Sequence, residues 1–187
     1  MKLGKTLYVK DRKEWRSWLA KNHRKEKEIW LVYPRKSSGK RRIPYNDAVE
    51  EALCFGWIDS TAKGIDDRKF AQRFSPRRPT SQLSQANRER IREMISEKKM
   101  TNTGLAAVSH VFDAKKRENF TISRYILTEI RKDKTAWKHF VKLPEKYKRI
   151  RIAYIESRKR HGAEMFKKSL RHFIKMTAKN KRFGFVK

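Results

Sequence analysis

Between Trp57 and Arg90 the chain sets out Asp59, Asp66 and Asp67, then Arg73, Arg77 and Arg78, then Asn87, Arg88 and Arg90. Arginines at this density suit an anion, because a guanidinium can present two parallel N–H donors to phosphate or carboxylate. Pro76 and Pro79 flank the Arg77-Arg78 pair and stiffen the backbone that carries it. The same charges also have a structural use. If the segments starting at Trp57 and Lys69 pair as a hairpin, Asp59 comes near Arg73, and an ion pair there would orient the two strands. Both readings stay open, and together they define the candidate binding residues Trp57, Asp59, Asp67, Arg73, Arg77, Arg78, Asn87 and Arg88.

Other chemistries find less support. Asp59 is the one plausible base for an enzyme acting on an anionic small molecule, but His23, His110, His139, His161 and His172 lie in no catalytic motif. The acids and histidines lack metal-ligand spacing, and the single Cys54 rules out a multi-cysteine site or an internal disulfide. Cys54 sits in the apolar run Leu53-Cys54-Phe55 and reads as a small core residue. Gly39-Lys40 lacks the first glycine and the following helix of a phosphate loop. Neither a metal nor a cofactor is expected.

The elements that must position these residues can be read in order. Thr6–Val9 reads as a short strand and Asp11 as the cap of a helix with Trp15, Trp18 and Leu19 on one face. A buried strand follows over 28–33, ended by Pro34 and the turn residues 37–40. Pro44 opens a helix whose buried side is Ala48, Val49, Ala52, Leu53 and Phe55, and Gly56 stops it. Strands over 57–62 and 69–75 with a turn over 63–67 complete the hairpin, with Phe70 and Gln72 on one face and Ala71 and Arg73 on the other. A helix near Ser84 carries Ile91, Met94 and Ile95; residues 100–104 break it, and another follows with Leu105, Val108 and Phe112. From Thr121 on, narrow apolar stripes predict a helical bundle: Ile126, Leu127 and Ile130; Phe140 and Val141; Tyr147, Tyr154 and Ile155; Met165, Phe166, Leu170 and Phe173. The fold class is therefore α+β: a small antiparallel or mixed sheet with helices over 1–82, then a helical unit over 83–187.

At 187 residues, with five Trp, ten Phe and six Tyr, the chain can bury a core without covalent staples. Its net charge is +30 and rises toward the C-terminus, where residues 142–187 hold 16 basic residues against three acids. Such a field attracts nucleic acid, anionic lipid or acidic protein, and it equally describes a solvated lysine-rich surface. Lys167, Lys168, Arg171 and Lys175 fall opposite Phe166 and Phe173 on the last helix. No stretch approaches the roughly 18 apolar residues a membrane span needs, and the N-terminus has no apolar signal region, so the expectation is a cytoplasmic protein.

The run Ala52-Leu53-Cys54-Phe55-Gly56-Trp57-Ile58-Asp59, with Arg73-Phe74-Ser75-Pro76-Arg77-Arg78-Pro79-Thr80-Ser81, Asn87-Arg88-Glu89-Arg90 and Met100-Thr101-Asn102-Thr103-Gly104-Leu105, resembles the YdeI/OmpD-associated family, also labelled bacteriocin-protection. The resemblance extends more weakly from Trp30-Leu31-Val32 to Ile155-Glu156-Ser157; the family's Trp just before Ser84 is Leu83 here. It implies a link to tolerance of antimicrobial peptides or bacteriocins, with no established enzyme activity. Taken with the arginine-rich segment, the expectation is a non-enzymatic module in stress tolerance that engages an anionic ligand or a protein partner. The alternatives are a nucleic-acid-binding protein, which lacks a recognised motif here, and the enzyme considered above.

Overall fold

A computed structural model of the chain describes residues 3–113 and 120–184. The fold is α+β. Among the described residues it has a four-stranded mixed sheet and eight α-helices, and the C-terminal part is helical. Chain contacts divide it into two compact units, Met1–Leu83 with Arg90–Ala114, and Ser84–Glu89 with Lys115–Lys187. The sequence reading divides the chain at residue 82, whereas the contacts group 90–114 with the sheet.

In the first unit, strand β1 (Thr6–Leu7) runs parallel to β2 (Ile29–Pro34), which pairs antiparallel with β4 (Lys69–Pro76), and β4 pairs antiparallel with β3 (Trp57–Asp66). The order across the sheet is β1-β2-β4-β3. Helix α1 (Arg12–Asn22) starts where Asp11 Oδ1 accepts the Glu14 N–H at 3.1 Å, satisfying a first-turn donor that has no helical partner. Helix α2 (Tyr45–Cys54) follows Pro44. Trp15, Leu19, Ile29, Leu31, Ala48, Leu53, Trp57 and Phe74 form the core of this unit. Trp15 meets Phe74 edge-on at 5.4 Å and donates its indole N–H to Ala48 O at 3.0 Å. Burying each of the leucine, isoleucine and phenylalanine side chains contributes roughly 1.5–3 kcal/mol. Trp18 is only half-buried; it stacks on Trp15 and abuts Trp57.

The hairpin differs from the expected one. Strand β3 continues through residues 63–66, so the turn shrinks to Asp67-Arg68. Asp66 makes this possible: its Oδ1 accepts the Arg68 and Lys69 N–H groups at 2.8 and 2.9 Å, an aspartate folding the chain over itself. Two register irregularities, between Asp59 and Ala62 and between Gly64 and Asp66, absorb the extra residues.

Helix α3 (Gln85–Ser96) contributes its first turn to the second unit and Ile91 and Met94 to the first unit's core. Helix α4 (Asn102–Ala106) is capped by Thr101, whose Oγ1 accepts the Gly104 N–H at 3.1 Å and donates to Cys54 O at 2.6 Å. The helix expected to run on through Phe112 thus stops at Ala106. Residues 100–104, expected to break the pattern, start a helix that docks on the end of α2.

The second unit holds α5 (Arg124–Lys132), α6 (Lys134–Val141), α7 (Glu145–Ser157) and α8 (Ala163–Ala178), the last two joined by a 3-10 turn over Arg158–His161. Its core is Ile126, Ile130, Ala136, Phe140, Tyr147, Ile152, Ile155, Phe166, Leu170 and Phe173. Glu89, buried, accepts a two-pronged bond from Arg149 at 2.7 and 3.1 Å and a third bond from Gln85 at 2.8 Å. Three residues expected on the apolar stripes, Val141, Tyr154 and Met165, are exposed instead.

Candidate functional site

The charged residues of the hairpin region do not assemble as one floor. In the β3–β4 register Asp59 lies opposite Phe74, so it shares the face on which Phe74 packs against Trp15. Arg73 is the next residue along β4 and projects from the other face. Each finds its own partner. Tyr45 donates its hydroxyl to Asp59 Oδ2 at 2.7 Å, and Gln72 reaches the same oxygen at 3.5 Å while donating to Ser60 O at 3.0 Å. Arg73 pairs with Glu28 through Nε at 2.7 Å and Nη2 at 2.6 Å. The expected Asp59–Arg73 ion pair is therefore corrected: a one-residue offset sends the partners to opposite sides of the sheet. The Arg73 guanidinium holds the Glu28 carboxyl below the usual carboxylate range.

Arg77 is buried and does internal work. Its Nη2 donates to Ser81 O at 2.8 Å and Gln82 O at 3.2 Å, and its N–H donates to Gly56 O at 2.9 Å. It clamps the loop after β4, and burial lowers its pKa. Trp57 is likewise an internal brace, its indole N–H donating to His23 O at 3.1 Å. Arg78 is exposed, its carbonyl accepting the Ser81 N–H at 3.0 Å. Asp67 is exposed in the hairpin turn. Asn87 and Arg88 sit half-buried in the first turn of α3, among the residues grouped with the second unit.

A polar cluster that the sequence reading missed surrounds Asp59. Tyr33 is buried on the Asp59 side of the sheet and stacks on Phe70 at 5.2 Å, and the Arg42 guanidinium lies 5.8 Å from both ring centres. The Tyr33 hydroxyl has no hydrogen-bond partner among the described residues. Burial, then the neighbouring charges, pushes the Tyr33 and Tyr45 phenols well above the ordinary tyrosine range. These groups lie in four separate segments, so no local motif could announce them.

A concavity lies where the far end of the hairpin meets the loop after β2. It encloses about 690 Å³ and is lined by Tyr8, Val32, Pro34, Ser37, Ser38, Lys40, Asp66, Arg68 and Lys69. Gly39 lets the loop reverse at a φ of 65°, a conformation that costs glycine little. Asp66 is the lone acid in the lining; its Oδ1 is committed to the turn and its Oδ2 stands 3.5 Å from Lys69 Nζ. The ammonium of Lys40 and the guanidinium of Arg68 have no carboxylate partner among the described residues. Two uncompensated cations, two serine hydroxyls and an apolar wall of Val32 and Pro34 make a cleft suited to an anion carrying a flat or apolar group. Its signal in the sequence was Asp66-Asp67, read there as the end of the 63–67 turn, with Arg68-Lys69 directly after it.

Among the described residues no three His, Cys, Asp or Glu side chains are grouped to hold a metal, and no helix is long and apolar enough to cross a membrane. No curated protein and no solved structure matches the chain. A family model described as a domain of unknown function, DUF8412, matches residues 7–107, from the end of β1 to just past α4, and leaves α5 to α8 outside. That match spans more than half of the chain, and the protein belongs to this family, DUF8412.

Proposed function

We propose that the protein is a non-enzymatic binding module that takes an anionic ligand in the cleft between the hairpin turn and the loop after β2. The observation that carries this reading is the pair of uncompensated cations, Lys40 and Arg68, at the wall of a cleft of about 690 Å³. A net charge of +30 supports it, since the long-range field gathers anions around every such pocket. The resemblance to the YdeI/OmpD-associated family adds a role in stress tolerance toward antimicrobial peptides or bacteriocins. Coulomb repulsion weighs against direct capture of a cationic peptide by so basic a chain, so within that role the protein engages an anionic ligand or an acidic partner. The absence of a long apolar helix among the described residues is compatible with action in the cytoplasm.

The test uses phenyl phosphate, which combines a dianionic head with a flat apolar group. Titration should raise the melting temperature saturably, by an amount corresponding to about 2.7 kcal/mol at a hundredfold excess over Kd. The exposed double variant Lys40→Glu/Arg68→Glu should fold and lose the rise, while Lys167→Glu in the second unit should keep it. A wild type that shows no saturable rise, or a double variant that retains it, removes the cleft from consideration.

A further inference from the structure

The second unit carries a separate cluster of cations and exposed aromatic surface. Arg151 lies 4.0 Å from the Phe183 ring centre and 5.0 Å from that of Tyr154, and Arg158 lies 5.8 Å from Tyr154. The Nε atoms of both arginines are buried without a hydrogen-bond partner, and no carboxylate pairs with either guanidinium among the described residues. Tyr154, 46% exposed, keeps much of its surface open to solvent.

Phe183 connects this cluster to α8, because it meets His172 edge-on at 4.7 Å. Along the outer face of α8 run Lys167, Lys168, Arg171, Lys175 and, just past its end, Lys179, all exposed. Steps of four residues space these charges on the order of 6 Å apart. The helix's lone acid, Glu164, stands 3.7 Å from Lys167 and 3.9 Å from Arg171, while Lys168, Lys175 and Lys179 meet no acid among the described residues.

We infer that the second unit binds single-stranded nucleic acid, with backbone phosphates following the basic face of α8 and a base stacking on the patch that Tyr154 makes with Arg151 and Arg158. Rows of cations neutralise phosphates whatever the sequence, and aromatic rings and guanidinium planes offer faces to unpaired bases. A duplex keeps its base faces stacked inside and cannot use the patch. A membrane surface fits less well, because α8 spends its apolar side, Phe166, Leu170 and Phe173, on the unit's own core and has none left to enter lipid. Burial lowers the Arg151 pKa, which marks a cation that gains from an incoming anion.

The experiment is fluorescence anisotropy on the full chain with a short labelled oligouridylate, repeated with a duplex of equal length, polyglutamate and phosphatidylserine vesicles. Oligouridylate should bind tightest. Tyr154→Ala should weaken it roughly five- to hundredfold with little change in salt dependence, and Tyr154→Phe should restore it. Lys168→Gln/Lys175→Gln should instead flatten the slope of log K against log salt by about 1.4, from about 0.7 per phosphate contact. Should Tyr154→Ala fail to fold, Tyr154→Leu, which fills the space without an aromatic face, carries the same expectation. Unchanged binding in the folded tyrosine variant, or binding of the duplex, polyglutamate or vesicles as tight as that of oligouridylate, overturns the inference.

Discussion

Tyr33 and Tyr45 bear the same hydroxyl on the same side of the sheet, yet removing it should have opposite consequences. Tyr45 donates to Asp59, whereas Tyr33 is buried with no partner among the described residues. Tyr45→Phe should lower stability by about 1 kcal/mol, while Tyr33→Phe should leave it unchanged or raise it, because an unsatisfied buried hydroxyl is itself a cost. Urea unfolding followed by tryptophan fluorescence separates the two. Cys54 offers a second check at this scale. Burial, with Glu51 nearby, pushes its thiol up to about 11, and the side chain is closed to solvent. The folded protein should not react with a thiol-specific disulfide reagent at neutral pH, and should release one equivalent of thiol once unfolded. The apolar neighbours of Cys54 announce its burial; nothing near Asp59 in the chain announces Tyr45, Gln72 or Tyr33.

At the scale of elements, α2, β3 and α4 are held together by two glycines. Gly56 takes a φ of 76°, and an added Cβ would stand 2.8 Å from the Ala107 Cβ. At Gly104 a Cβ would come within 2.2 Å of the Cys54 carbonyl oxygen, which is backbone and cannot yield. Gly104→Ala should cost about 3 kcal/mol or more, seen as a lower urea midpoint with an unchanged m-value. The Glu28–Arg73 pair ties the start of β2 to β4. The folded-state pKa of Glu28 is depressed, so the pair's contribution is complete above the unfolded value of about 4.3 and is lost as pH falls through the folded one. Solvent screening limits it to at most about 1 kcal/mol. Glu28→Gln should melt below wild type at pH 7, and the two curves should converge as pH drops below about 4.

For the whole molecule, a net charge of +30 means that compaction works against self-repulsion. Moderate salt screens that repulsion within a Debye length of about 10 Å at 0.1 M. The melting temperature should therefore rise between low salt and about 0.15 M, even though individual ion pairs weaken. A fall over that range would mean that paired charges such as Glu51 with Arg12 and Arg16 outweigh the net repulsion. Supercharging of this kind leaves the two proposed sites distinguishable, since phenyl phosphate probes Lys40 and Arg68 while oligouridylate probes Tyr154 and α8.

Composition and local pattern were enough for the α+β class, the cap at Asp11, the stop at Gly56 and the tryptophan-rich core, because each depends on residues within a turn or two of one another. They also located the hairpin, though not its turn, which the Asp66 carboxylate moved to the Asp67-Arg68 pair. Which acid meets which arginine was decided only in three dimensions. Strand side chains alternate, so the offset that sets Asp59 opposite Phe74 sends Arg73 to the other face and to Glu28. The cleft arises the same way, from segments far apart in the chain that become neighbours only on folding, whereas Arg151, Tyr154 and Arg158 are neighbours by helical spacing along α7 and its C-terminal cap, and only Phe183 is brought to them by packing.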